Sequence, residues 1–92
     1  MGDVFHALAD STRRLILDEL AQRDGQSLFE ICGRLAVHHG VGMTRQAISQ
    51  HLAVLEEAGL VRSERAGRTK LHYLDTAPLS GLTDRWLPQT KE

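Results

Sequence analysis

The segment from Thr44 to Leu74 constrains the fold of this chain most strongly, because its hydrophobic period changes partway along it. The first half carries apolar residues at i, i+4 and i+7, namely Ile48, Leu52 and Leu55. This period predicts an amphipathic helix that begins after Thr44 as N-cap. Gly59 in a left-handed conformation ends it, with Leu60 packing back on the last turn. The second half alternates around the Gly67 turn, which predicts two short strands. The expected fold class is therefore mainly α with a small β-hairpin.

The outward face of this predicted helix is small and polar. Gln46, Ser49, Gln50 and Ala53 recur at i, i+3, i+4 and i+7, and Arg45 lies in the first turn. Arginine can pair with the acceptors of guanine and glutamine with adenine, and neither meets a bulky apolar neighbour on this face. By itself, the same pattern also fits an ordinary amphipathic helix with a solvated polar face.

The predicted hairpin, from Leu60 to Leu74 around Ala66-Gly67-Arg68, carries a local excess of positive charge. Its basic residues, Arg62, Arg65, Arg68 and Lys70, stand against the single acid Glu64, although the whole chain has net charge −1. A basic hairpin tip suits phosphates or a minor groove. The alternative is a turn that charge keeps soluble, or an edge strand that cations protect. Helix and hairpin together favour duplex DNA over either alternative.

Three segments of the chain resemble the ArsR/SmtB family of bacterial winged helix-turn-helix regulators. They are FHALADSTRRLILDEL, then TRQAISQHLAVLEEAGLV, then RSERAGRTKLHYL. The first contains an Ala-Leu-Ala-Asp-x-Thr-Arg-Arg run, and the second a Ser-x-His-Leu element. The resemblance implies a homodimer that binds operator DNA, commonly as a repressor released by a ligand or metal. It also makes a DNA-backbone contact for His51 as plausible as a hydrogen bond within the fold.

The resulting prediction is a dimeric, sequence-specific transcriptional regulator without enzymatic activity, acting on a pseudo-palindromic operator. Two recognition helices would enter successive major grooves roughly 34 Å apart. Glutamine and serine side chains would read bases, and wing cations would hold the backbone. The predicted DNA-binding residues are Thr44, Arg45, Gln46, Ser49, Gln50, His51, Arg65, Arg68 and Lys70.

Residues 1–92 are interpreted as one winged helix-turn-helix domain. Apolar stripes at both ends predict terminal helices at about 2–9 and 78–87, and the resemblance implies that these form the dimer interface. The predicted interface residues are Val4, Phe5, Leu8, Leu79, Leu82 and Trp86. The alternative for Trp86 is that it folds back on its own subunit.

A second helix is predicted after Asp10 or Ser11, either of which can be its N-cap. Its inward face would hold Leu15, Ile16 and Leu20. Asp10 and Arg14 are spaced for an i, i+4 ion pair. We therefore interpret Arg13 and Arg14 as part of a capped, salt-bridged helix start rather than as phosphate contacts.

Between the two motif helices the chain departs from the usual family spacing. The stretch AVHHGVGM follows Leu35 and predicts an extension of the first motif helix through His39, ended by Gly40. Val41 would then pack into the core, and Gly42 would allow the chain to make the tight turn. Adjacent histidines on a helix point about 100° apart, so we expect a solvated pair and predict no metal site and no cofactor. A non-standard site involving His38, His39 or Cys32 would make the chain a metal-responsive repressor instead.

Composition limits the remaining classes of function. The single cysteine, Cys32, excludes an internal disulfide and suits a reducing cytoplasm. No apolar run reaches membrane-span length. The spacing of Ser, His, Asp and Gly residues gives no nucleophile group and no phosphate loop. A winged helix that binds protein remains the alternative, and the sequence leaves open an unidentified small-molecule or protein effector.

Overall fold

The computed structural model describes residues 3–80, which form short helices followed by one antiparallel hairpin. In chain order the elements are α1 (Val4–Leu8), α2 (Ser11–Gln22), α3 (Leu28–His39), α4 (Arg45–Glu57), β1 (Val61–Ala66) and β2 (Thr69–Leu74). The helices α2, α3 and α4 pack on one another, and β1 leaves the end of α4 to form the hairpin with β2. The predicted mainly α fold with a small hairpin is confirmed.

Each helix begins at a polar residue whose side chain accepts from a free backbone amide of the first turn. Asp10, not Ser11, is the N-cap of α2 and accepts from the amides of Thr12 and Arg13. Burial alone would raise the pKa of the Asp10 carboxyl, but these amide donors hold it below its ordinary value. The predicted Asp10–Arg14 ion pair is wrong, because Arg14 donates to the carbonyl of Leu8 at 2.6 Å. That bond satisfies an end carbonyl of α1.

The core lies where the three longer helices meet. All three residues of the predicted α4 stripe, Ile48, Leu52 and Leu55, are buried. On α2, Ile16 and Leu20 are buried while Leu15 is only half-buried. Side chains of this size each stabilise the fold by about 1.5–3 kcal/mol when fully buried. The remaining buried apolar residues are Ala7, Ile31, Leu35, Ala58, Leu60 and Val61.

The unusual segment after Leu35 extends α3, as its sequence predicts. The helix continues to His39, and Gly40 follows in a left-handed conformation at φ 67°. The amide of Val41 donates to the carbonyl of Leu35 at 3.1 Å, and the Val41 side chain packs against the core. The role predicted for Gly42 is wrong: its φ is not positive, and an added Cβ would meet nothing within 4 Å.

The end of α4 has the predicted left-handed geometry. Gly59 has φ 80°, and the amide of Leu60 donates to the carbonyl of Leu55 at 3.0 Å. Leu60 is fully buried. This ending reverses the chain sharply, so the hairpin begins beside the helix that precedes it.

A short bridge ties the hairpin to the loop between α2 and α3. Gln26 and His72 exchange backbone hydrogen bonds of 3.1 and 2.7 Å, and both side chains are buried. The Gln26 side chain donates to the carbonyls of Glu19 and Arg23. The wing, which is the hairpin of β1 and β2, is therefore fixed to the helical body at its base. Its tip, around Gly67, is exposed.

The helix predicted at 78–87 is only partly within the described residues. Residues 77–80 are helical, and Leu79 packs against the core. Leu82 and Trp86 lie outside the described residues, so the predicted single domain over 1–92 stays a prediction. Within 3–80, no helix is both long and apolar enough to cross a membrane.

Candidate nucleic-acid interface

The helix α4 presents a continuous polar face to solvent. Thr44 Oγ1 accepts from the amide of Ala47 at 3.1 Å, which confirms Thr44 as N-cap. Arg45, Gln46, Ser49 and Gln50 are all exposed, and they lie on the side of the helix away from its buried stripe. Because apolar packing on α2 and α3 anchors the opposite side, these four side chains are held outward on a rigid element. Such a helix can enter a major groove.

The hairpin tip concentrates positive charge, and within residues 3–80 no acidic side chain pairs with Arg65, Arg68 or Lys70. The wing's acid, Glu64, pairs with Arg62, and the Arg62 guanidinium lies 4.6 Å from the centre of the Tyr73 ring. Arg65 stands directly opposite Lys70 in the strand register, and Arg68 occupies the turn. Like charges facing each other across two strands cost roughly 0.2–1 kcal/mol. An anion bound between them would relieve that repulsion.

Helix and wing share one cleft. An open cleft of about 340 Å³ lies between α4, the wing and the start of α3, and its lining includes Ser49 of α4, Arg68 and Lys70 of the wing and residues 27–29. The structure therefore brings these three predicted residues together at one surface. Leu52 and His72 form part of the same lining and belong to the buried frame.

His51 lies on the flank of α4 and is hydrogen-bonded within the fold. Its Nδ1 is 3.2 Å from the NH1 nitrogen of Arg13, and the side chain keeps part of its surface exposed. The hydrogen bond within the fold is thus confirmed, and a DNA contact through the other ring nitrogen stays a prediction. Arg13 itself is buried, which excludes the phosphate contact that exposed arginines can make.

The histidine pair on the α3 extension is exposed, as expected, but both rings also contact a buried carboxylate. His38 Nδ1 and His39 Nε2 lie 3.0 and 2.9 Å from the same oxygen of Glu19, and Arg34 Nε lies 2.7 Å from the other oxygen. The last turn of α3 places both rings over α2, where Glu19 is fully buried. Burial alone would raise the pKa of the Glu19 carboxyl, but hydrogen bonds from His38, Arg34 and His39 hold it below its ordinary value.

Within residues 3–80, no three His, Cys, Asp or Glu side chains are arranged to hold a metal ion. The nitrogens of His38 and His39 that face Glu19 donate to its carboxylate, which also pairs with Arg34. Burial raises the pKa of the Cys32 thiol, and the nearby positive charge of Arg45 offsets only part of that effect. A thiol with a raised pKa is a poor metal ligand at neutral pH.

Sequence reasoning missed two buried polar centres. Glu19 lies on the inward side of α2, one residue before Leu20. A helical wheel of α2 does not show which cation or donor could pair with a carboxylate at that position. The alternation of the predicted strands gives no sign that His72 is buried, yet its ring nitrogen Nδ1 lies 3.0 Å from the carbonyl of Gln26. A single signal was available for Glu19: the two histidines and Arg34 recur at i, i+4 and i+5 on α3. Only the packing angle of α2 and α3 shows what they face.

The family comparisons agree with this architecture. The family model described as a helix-turn-helix domain matches residues 8–64, which run from the end of α1 into β1. The HTH-type transcriptional regulator YuzN of Bacillus subtilis is 48% identical over 84 residues, covering 91% of each chain. The transcriptional repressor SdpR of the same species is 34% identical, over 86% of this chain and 80% of its own. These relatives are transcriptional regulators, not enzymes.

A solved structure extends the agreement to three dimensions. An ArsR-like transcriptional regulator from Rhodococcus sp. RHA1 is 36% identical with a TM-score of 0.76, over 88% of this chain and 68% of its own. The chain therefore belongs to the ArsR/SmtB family of winged helix-turn-helix DNA-binding transcriptional regulators.

Proposed function

We propose that this regulator acts as a homodimeric repressor that reads a pseudo-palindromic operator through α4. The observation that carries this proposal is the cleft that Ser49 of the polar helix face shares with the wing cations Arg68 and Lys70. Gln46 and Gln50 are exposed on that face and can each make two hydrogen bonds to adenine. One relative, SdpR, is a transcriptional repressor, which supports repression by this chain.

The assignment of roles follows from the chemistry of each position. Gln46, Ser49 and Gln50 read base edges, and Arg45 in the first turn contacts a base or a phosphate. Thr44, at the helix start, and His51, on the flank, contact phosphate. In the wing, Arg65, Arg68 and Lys70 hold the DNA backbone, and relief of the Arg65–Lys70 repulsion adds to the binding energy.

The dimer rests on the apolar residues of the terminal helices. Phe5 is 56% exposed, and Val4, Leu8 and Leu79 are only partly buried against the core. A second copy packing here would remove this surface from water. We expect Phe5→Ser to shift the protein toward monomer in sedimentation analysis. Val37→Ser is the matched control, because Val37 is also highly exposed but lies on α3. Equal effects of both variants would contradict this interface.

The direct test of DNA binding is fluorescence anisotropy across a salt series. The probes are the duplex upstream of the protein's own gene and a scrambled duplex of equal length. Specific, salt-sensitive binding is expected for the native duplex, because each contacted phosphate releases condensed counterions. Absence of binding to either duplex at low salt would refute the proposed function.

Single-residue variants can distinguish side chains that contact DNA bases from side chains that contact the DNA backbone. Gln50→Ala is expected to weaken the native duplex by about tenfold while leaving the scrambled duplex unchanged. Arg68→Ala should weaken both duplexes equally and reduce the salt slope by about two per dimer. Arg23→Ala is the matched control for net charge, since Arg23 pairs with Glu30 at the end of α2. An Arg23 variant as weak as the Arg68 variant would show that only total charge matters.

A further inference from the structure

The guanidinium of Arg13 connects α1, α2 and the recognition helix α4. Its Nε donates to the carbonyl of Ala7 at 2.8 Å and its NH2 to the carbonyl of His6 at 3.0 Å. Its NH1 lies 3.2 Å from Nδ1 of His51. The side chain is only 8% exposed, so all three guanidinium nitrogens are held in one buried arrangement.

This arrangement fixes where the imidazole of His51 carries its proton. A guanidinium stays protonated and has donors but no acceptor, so Nδ1 of His51 must accept. A neutral imidazole that accepts at Nδ1 carries its hydrogen on Nε2. Among the described residues no group accepts from Nε2, and this atom is not one of the buried unpartnered atoms. The ring therefore presents an N–H donor to solvent beside the exposed face of α4.

We propose that Arg13 is a positioning residue for DNA binding, which sets the tautomer and orientation of His51 so that Nε2–H donates to a DNA phosphate. The inference rests on the proposed function. The same guanidinium satisfies two carbonyls of α1, so it also fixes α1 relative to α4. Removing Arg13 frees the ring to rotate and to place its hydrogen on either nitrogen.

The first test measures the tautomer in the free protein, without DNA. Long-range ¹H–¹⁵N spectra of wild-type protein are expected to show an unprotonated Nδ1 and a protonated Nε2 for His51. Arg13→Met should yield a mixture of tautomers. The matched control is Arg14→Met, because Arg14 also donates to an α1 carbonyl but has no contact with His51. A wild-type ring protonated at Nδ1, or an identical mixture in the Arg14 variant, overturns the proposal.

The second test asks which ring nitrogen meets DNA. A glutamine amide nitrogen falls near the place of Nε2, and an asparagine amide nitrogen near that of Nδ1. His51→Gln should retain affinity for the native duplex within about twofold. His51→Asn should bind on the order of a hundredfold more weakly, because the dimer loses two hydrogen bonds to charged acceptors, each contributing about tenfold at the low end. Equal affinities of the two variants overturn the phosphate contact. This pair keeps Arg13 in place, so it remains informative if Arg13→Met does not fold.

The third test asks whether Arg13 acts through His51. Arg13→Met should weaken binding to the native duplex by about fourfold in the wild-type background, because an equal mixture of tautomers costs about twofold in each of two subunits. It should have almost no effect when His51 is already alanine, because residues acting through one contact are not additive. Additive losses would mean that Arg13 supports DNA binding only by stabilising the fold. Failure of wild-type protein to bind any duplex is a separate result, which refutes the proposed function and leaves the tautomer measurement standing.

Discussion

Replacement of Glu19 by alanine should destabilise the protein strongly, because Glu19 is a fully buried carboxylate with three donors around it. Two unit charges 4 Å apart attract by about 4 kcal/mol at an effective dielectric constant of about 20. The attraction between Arg34 and Glu19 is therefore similar in size to the desolvation penalty of burying one ion, which is several kcal/mol. The two histidine hydrogen bonds, at 3.0 and 2.9 Å, therefore decide that the cluster is favourable.

The expected loss for Glu19→Ala is about 3 kcal/mol, the lower end of the range for breaking a buried pair. The lower end applies because the side chains of Arg34, His38 and His39 are 29%, 41% and 26% exposed and can be hydrated once released. For a domain of this size that corresponds to a fall in Tm on the order of 15 °C. Denaturant unfolding at fixed protein concentration measures the free energy, and a loss below about 1 kcal/mol would refute this reasoning.

Glu19→Gln separates charge from shape. Its amide oxygen can accept from Arg34, and its amide nitrogen can donate to both rings if His38 and His39 change tautomer. We expect a loss of only about 1 kcal/mol at neutral pH. We therefore expect Glu19→Ala to lower the free energy of unfolding clearly more than Glu19→Gln does.

The pH dependence follows from the direction of the pKa shift. The folded-state pKa of Glu19 lies below its ordinary value of 4.5, so the unfolded chain takes up the proton first as the pH falls. The stability that the Glu19 carboxylate itself contributes should be fully present above about pH 5. It should shrink from pH 4.5 downward, through the folded-state pKa. A difference in unfolding free energy between wild type and Glu19→Gln that grows as the pH falls below 4.5 would contradict the shift.

Four further substitutions, one of them a control, test local features of the fold. Gly40→Ala should lower the free energy of unfolding by about 1 kcal/mol. The cause is left-handed backbone strain alone, because φ is 67° and the added Cβ meets no atom within 4 Å. Gly42→Ala is the control in the same denaturant titration and should be neutral, because Gly42 is equally open but has no positive φ. Gly33→Ala, inside α3 with open space around it, should stabilise the protein by about 0.5–1 kcal/mol, seen as a raised Tm. Asp10→Ala should cost about 1 kcal/mol at pH 7 through loss of the α2 cap. Since the pKa of the Asp10 carboxyl is lowered, that cost should fade as the pH drops below 3.8, and a cost independent of pH would argue against the charged cap.

Local features were predictable because local rules determine them. The caps at Asp10 and Thr44, the left-handed glycines 40 and 59, and the buried stripe of α4 depend on residues within one or two helical turns. The extension of α3 is of the same kind, since helix period and a following glycine suffice to predict it. The polar face of α4 and the charge of the wing were visible for the same reason.

Contacts between elements could not be predicted in this way. His38 and His39 point in different directions on a helical wheel, yet both reach one oxygen of Glu19, because the last turn of α3 crosses directly over α2. Arg13 and His51 are separated by 38 residues, and only the packing of α2 on α4 joins them. The sequence alone determined most of the elements, the N-cap of α4 at Thr44, the polar face of α4 and the positive charge of the wing. The tertiary structure decided which buried polar groups meet, because hydrogen-bond partners depend on distances between elements that no local pattern encodes.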